Sequence, residues 1–233
     1  MHIDHILEKF KTLENNSLKK AYSKFGFSKV YGLKVSDLRN IAKEIGINKN
    51  LSYQLSEMDS YETVFLSILI ADEKTIKKDR ITDLAIKSRK SSIIDQALAD
   101  LVLKSNQKDV LYTWYKNDND NLRYAFYATY QSYLRKAPLD VIDISFGLDV
   151  LEHVKKTLLN EDIYIQNAMN NLVVMAGLHV PKLVDKAYEV AKHIGYVLPL
   201  KAKNSCNIQS ALDYLDRYID NPKFSRVAKL KTK

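Results

Sequence analysis

The sequence predicts an all-α fold of helix pairs stacked into a solenoid, and three observations predict it. Gly and Pro number only 6 and 4 in 233 residues, too few for the turns of a strand-rich chain. Apolar residues recur at the three-and-four spacing of a helix almost from end to end. The helical segments are short, and one short helix pair cannot bury its own apolar stripes. Such pairs must stack, and the stack leaves one long concave face for a partner.

Each element follows from this spacing. Ile3, Ile6, Leu7 and Phe10 make one face of an opening helix over 3–13, and a second helix covers 17–25. Ser36 reads as an N-cap with Asp37 near the helix dipole. Leu38, Ile41, Ala42 and Ile45 form the stripe behind it, and Gly46 ends it. A helix over 51–58 precedes one over 60–71, whose run Val64 to Ile70 is apolar nearly all round and is expected to be central and buried. Further helices are expected over 75–88, 92–104, 107–116, 121–136, 148–159, 162–178, 181–194 and 210–219. Pro138 and Pro181 fall at breaks; residues 140–147 fit no pattern. Two helices per unit at a period of roughly 40 residues give about five HEAT-like units. The expected organisation is one helical-repeat domain over 1–222 and a basic tail over 223–233, either a phosphate-touching arm or a solvated segment without fixed structure.

Composition narrows the function. The formal net charge of +8 favours a polyanionic partner, above all a phosphate backbone. No stretch of about 18 apolar residues is present to span a membrane. The start, Met1-His2-Ile3-Asp4-His5, lacks the pattern of a secretory leader. The lone Cys206 has no partner for an internal disulfide and reads as a structural thiol. These features favour the cytoplasm. The five histidines (His2, His5, His153, His179, His193) have no metal-ligand spacing with Cys206, and no phosphate-binding glycine loop occurs, so no metal and no cofactor is expected.

Three constellations could carry chemistry. Asp95, in Ser91-Ser92-Ile93-Ile94-Asp95-Gln96-Ala97-Leu98-Ala99, shares a helical face with Leu98, Ala99 and Val102. A carboxylate on an apolar stripe is either paired with a neighbouring arginine or used. The stretch from Tyr112 to Arg135 interleaves arginine with aromatics, and Arg123, Tyr127 and Tyr130 lie at helical spacing. That pattern suits phosphate contact with stacking, or tyrosines filling helix seams. Asn167, Asn170 and Asn171 make an amide patch opposite Ile165, Ala168, Met169 and Leu172. It is either a plain solvated face or a set of donors to phosphate oxygens.

These stretches, together with Tyr31-Gly32-Leu33-Lys34-Val35-Ser36-Asp37-Leu38-Arg39-Asn40-Ile41-Ala42-Lys43, Tyr61-Glu62 and Leu122-Arg123, resemble the AlkD-like DNA alkylation repair family. The resemblance runs from about residue 30 to about 195 and rests on the order of motifs that are individually weak. It implies a HEAT-like helical repeat that contacts double-stranded DNA through its backbone. It also implies a monofunctional glycosylase that releases cationic alkylpurines. Such a reaction needs a carboxylate to stabilise an oxocarbenium-like sugar and aromatic faces for the cationic base. The resemblance puts the carboxylate at Asp95 and a phosphate-binding arginine at or near Arg123. The sequence departs from the pattern at Ser91, where the family has tryptophan four residues before its aspartate. It departs again at Asn171 and Val174, where the family has a tryptophan and an arginine; the only tryptophan, Trp114, lies elsewhere.

The expectation is therefore a monomeric, DNA-binding member of this family with reduced or lost excision. Asp95 is its catalytic or vestigial carboxylate, and Arg123, Tyr127, Asn167 and Asn171 are its DNA contacts. The competing expectation is a helical-repeat scaffold that takes a protein in its groove and has no glycosylase activity. A third is an enzyme for a bulkier lesion, admitted because Ser91 and Asn171 are small.

Overall fold

The computed structural model of the chain describes residues 2–197 and 210–232; Cys206 lies outside the described residues. The chain divides into two compact units, Met1–Ala125 and Phe126–Lys233. Among the described residues no strand occurs, only the isolated bridges Lys29–Ser60 and Tyr196–Ser210. No helix among them is long and apolar enough to cross a membrane.

Unit 1 runs α1 (Ile3–Thr12), α2 (Asn16–Ser23), α3 (Val35–Ile45), α4 (Lys49–Ser56), α5 (Tyr61–Leu69), α6 (Lys78–Lys87), a π-helical turn (Ile94–Leu98), α7 (Ala99–Lys104) and α8 (Val110–Trp114). Asparagines start two of these helices. Asn15 accepts from Leu18 N and Asn48 from Leu51 N, each at 3.0 Å, satisfying amides that the first turn leaves open. Helix α5 is the core of the unit, with every residue from Tyr61 to Ile68 buried. This matches the apolar run that marked it, and α3 and α4 pack on it.

The loop before α3 is held by a side chain from α5. The buried Glu62 carboxylate accepts from Tyr31 N (2.9 Å), Gly32 N (2.7 Å) and Leu33 N (3.3 Å). This clamp sets the start of α3 early. The helix begins at Val35 behind an extended Lys34, and Ser36 lies inside the helix and not at its cap. Gly46 ends α3 with φ +70°, a left-handed conformation that glycine adopts at no steric cost.

Helix α9 (Asp120–Lys136) passes from unit 1 into unit 2. Unit 2 continues with α10 (Ile144–Thr157), α11 (Ile163–His179), α12 (Val184–Ile194), α13 (Ala211–Tyr218) and α14 (Arg226–Lys231). Short 3-10 turns at Leu139–Val141, Leu158–Asn160 and Pro181–Leu183 join them. Asp143 accepts from Phe146 N at 3.0 Å and so starts α10 inside the stretch 140–147 that fitted no pattern. Helix α11 is the centre of this unit, packed by α12, α13 and α14.

The basic tail is not a solvated arm. Residues 226–231 form α14, capped by Ser225 and anchored by buried Val227 and Ala228. Arg226 donates to the carbonyls of Leu134 (2.5 Å), Ala137 (2.7 Å) and His179 (2.7 Å). These are carbonyls at helix ends, which lack intrahelical donors and attract a guanidinium.

Burial, with Arg226, Arg135 and Lys229 nearby, holds His179 at about 4, below its ordinary value of 6.5. The fold thus keeps this imidazole neutral. As pH falls below about 6.5 the unfolded chain takes up a proton that the folded chain refuses, so stability drops between pH 6.5 and 4 and this contribution levels off below. At 1.36 kcal/mol per pKa unit, reduced for partial exposure, the loss is about 1–2 kcal/mol. Urea denaturation at pH 7 and pH 4.5 checks this: His179→Gln is expected to lose less stability across the interval than the wild type.

Candidate nucleic-acid interface around Asp95

Residues 92–104 do not form one regular helix. Ala99 N donates to Ile94 O, five residues back, so Ile94–Leu98 is a π-turn that hands on to α7. The wider turn separates side chains that an α-helix would stack on one face. Ile94, Ala97, Leu98, Ala99 and Val102 stay buried, while Asp95 and Gln96 are exposed. The expectation that Asp95 shares the apolar stripe is therefore corrected: the π-turn turns it to solvent.

Asp95 has neighbours that its sequence position does not announce. Arg39, exposed on α3, donates to Gln96 O and to Gln96 Oε1, both at 3.3 Å. Elsewhere on unit 1, Lys34 at the start of α3 and Lys29 in the preceding loop are exposed, the Lys29 ammonium lying 4.6 Å from the centre of the Tyr31 ring. Tyr61, first residue of α5, shares a hydrogen bond of 2.8 Å with Ser92 Oγ, just before the π-turn. Its ring is stacked by Tyr22 at 4.3 Å and by Phe25 at 6.0 Å between centroids. Burial, with the charges of Glu62 and Asp95 adding to it, pushes the Tyr61 hydroxyl far above its ordinary value despite the Ser92 bond. It therefore stays protonated and serves as a fixed strut under the π-turn.

The family's tryptophan position before the aspartate is built shut. Ser91 is fully buried, and its hydroxyl donates to Ser88 O at 2.5 Å. Its small size opens no space at the surface, against the expectation of room for a bulkier lesion. Trp114 is buried as well and donates to Thr82 Oγ1 at 3.1 Å. Neither position offers an indole to a ligand.

The other expected contacts have structural partners. Arg123 donates to Asn117 O (2.8 Å), Asp118 O (3.0 Å) and Asp120 Oδ1 (2.7 Å), fastening the loop that leads into α9. Tyr127 is 1 % exposed and Tyr130 2 %, so these rings fill the interior and present no stacking face. Phe126, Tyr130 and Phe146 form an aromatic cluster within unit 2, with Phe126 and Tyr130 stacked at 5.3 Å. The amide patch is likewise mostly interior. Asn167 is 6 % exposed and donates to Ile163 O at 2.7 Å; Asn170 is buried and Asn171 half-buried. Asp95 and Arg123 belong to unit 1, Tyr127, Asn167 and Asn171 to unit 2.

Arg39, Gln96, Tyr61 and Tyr22 were missed from the sequence. Arg39 and Tyr61 stood in stretches that caught attention for their order along the chain. Nothing in their spacing linked them to residues 92–96, because these contacts span 31 and 57 positions.

Comparison with known proteins agrees with this architecture. The chain is 25 % identical over 223 residues to an uncharacterised protein of Listeria monocytogenes, Lmo0209, covering 92 % of this chain and 96 % of that one. It is 24 % identical over 222 residues to an uncharacterised protein of Listeria innocua, Lin0241, with the same coverage. A solved structure superimposes with a TM-score of 0.85 at 22 % identity, over 97 % of this chain and 98 % of that one. It is described as representing a new family of proteins related to the HEAT-like repeat DNA glycosylases with affinity for branched DNA structures. The fold is thus that of the HEAT-like repeat proteins. The model of the DNA alkylation repair enzyme family matches residues 6–224, and the chain belongs to that family.

Proposed function

We propose that this protein binds DNA through the unit 1 surface around Asp95 and has lost rapid excision of cationic alkylpurines. The observation that carries the reading is an exposed carboxylate on a π-turn, with the exposed Arg39 of α3 bonded to the next residue of that turn, Gln96. The guanidinium suits the phosphate backbone. In this reading Asp95 is the carboxylate, catalytic or vestigial, that would stabilise positive charge on a sugar. An indole face for a cationic base is not supplied at the buried Ser91 or by Trp114, which is committed to the core. The affinity for branched DNA described for the solved relative supports DNA as the ligand class. The cytoplasm is the setting in which this activity fits.

The test is release of 3-methyladenine and 7-methylguanine from methylated duplex DNA, with binding measured over a salt series. The expected result is background release by both wild type and Asp95→Asn. Duplex binding should weaken with salt at a log–log slope of about −0.9 per phosphate neutralised, and Arg39→Ala should lower it several-fold. Base release by the wild type that Asp95→Asn abolishes would show an active glycosylase. Salt-independent binding, or none at low salt, would point to a scaffold for protein partners.

A further inference from the structure

Unit 1 also holds a cavity of about 160 Å³ at the far end of α5 from Tyr61, lined by Lys49, Tyr53, Asp72, Thr75, Lys77 and Arg80 among others. A cavity of about 150 Å³ is large enough to take a benzene ring, so one ring of a base fits, with the rest of a nucleotide left outside against the exposed Tyr53, Lys49 and Lys77. Tyr53 is 44 % exposed, and the Arg80 guanidinium lies 4.2 Å from the centre of its ring. Arg80 cannot swing away, since it is bound to Asp83 (2.6 Å), Ser56 Oγ (2.6 Å) and Ser52 O (3.1 Å). The tyrosine ring is thus backed by a fixed cation and leaves the rest of its surface to a ligand.

The charges around the cavity are unbalanced. Lys49 and Lys77 are exposed and form no ion pair among the described residues. The acid in the lining, Asp72, accepts from Thr75 Oγ1 at 2.6 Å and Lys74 N at 3.0 Å, bonds that hold its carboxyl below the usual carboxylate range. It is turned to its own loop. An aromatic face together with two uncommitted ammonium groups matches a ring that carries a phosphate, since stacking and cationic contacts are how unpaired nucleotides are held.

We propose that this cavity binds an unstacked nucleotide, its base against Tyr53 and its phosphate at Lys49 and Lys77. The nucleotide comes either from the unpaired end of a DNA strand or as a free mononucleotide. The proposal stands apart from the Asp95 reading, because the two surfaces lie at opposite ends of α5.

Calorimetric titration of the full chain tests it with four ligands: dAMP, inorganic phosphate, a blunt duplex, and the same duplex with single-stranded ends. Saturable binding of dAMP, or tighter binding of the overhanging duplex than the blunt one, is expected. Tyr53→Ala should weaken it roughly 10-fold, the scale of one lost base–aromatic stack. The double variant Lys49→Ala/Lys77→Ala, altered only at exposed positions, should weaken it several-fold and covers the case in which Tyr53→Ala fails to fold. Asp95→Asn and Arg39→Ala should leave dAMP binding unchanged, and failure of the wild type to bind the blunt duplex would sink the Asp95 reading alone. A response to dAMP identifies free nucleotide as a source; a response only to overhangs identifies the strand end. Inorganic phosphate binding as well as dAMP, no preference for either nucleotide source, or unchanged affinity in both variants overturns the proposal.

Discussion

Glu62→Ala is expected to lower the stability of the protein by about 3–5 kcal/mol, the cost of emptying a buried charged hydrogen-bond site. The carboxylate is fully buried and binds three successive backbone N–H groups, those of Tyr31, Gly32 and Leu33. Alanine would leave all three without an acceptor, and each unsatisfied buried donor costs about 1–3 kcal/mol before relaxation. Glu62→Gln is expected to lose less, since one amide oxygen still accepts while the amide nitrogen faces donors. Urea denaturation of the two variants checks the order. Equal, small losses would mean that the loop finds other acceptors. Because the loop leads into α3, hydrogen exchange in Glu62→Ala should also accelerate at residues 31–38 before it does elsewhere in unit 1.

Gly32→Ala is expected to be nearly as severe, at about 3 kcal/mol or more. Gly32 has φ +81°, where L-residues with a Cβ are strained. A Cβ there would overlap Asn15 O and lie 2.5 Å from Lys19 N and 2.9 Å from Lys19 Cα. All three are backbone atoms, so no side chain can swing aside, and the start of α2 would have to move. Asn15 O also accepts from Lys19 N at 2.8 Å, in the first turn of that helix. The expected result is a lower urea midpoint with the m-value retained, or loss of soluble protein. An unchanged midpoint would show that the loop shifts freely. In either variant the Tyr22–Tyr61 stack should loosen, since α2 carries Tyr22 and the loop sits on the residue after Tyr61.

Helices were legible in this sequence wherever an apolar stripe met a clear stop. Leu38, Ile41 and Ile45 with Gly46 marked α3, and the run through Val64 to Ile70 marked the buried α5. The stripe records burial, and burial is what holds each helix in place. The start of α3 was misplaced because Glu62, 30 residues away, fixes the backbone ahead of it and makes a serine cap unnecessary. The tail was misread because its charges hide two small apolar anchors, Val227 and Ala228, and an arginine whose acceptors lie as far as 92 positions back. The tyrosines of α9 show the same limit: aromatic spacing looks alike whether the rings face solvent or a seam, and here Tyr127 and Tyr130 face the seam.

The candidate site was half legible. Asp95 stands out in the sequence as an acid among apolar residues, but it shares their face only if 92–104 winds at 3.6 residues per turn throughout. Local sequence does not announce a π-turn, because Ile, Gln, Ala and Leu suit either winding. The Tyr53 cavity left no mark in the sequence, since Tyr53 and Arg80 belong to different helices and a ring next to a cation in space need not be near it in the chain.

The π-turn at Ile94–Leu98 also bears on how relatives should be matched to this protein. A relative that winds the same stretch as plain α-helix reaches α7 with one residue fewer. Gap-free pairing across the turn would then be out of step by one on one side of it. At 22–25 % identity, nothing in the letters would reveal the slip. Equivalence of the acidic position, and of Ser91 four places before it, is better judged by superposing backbones.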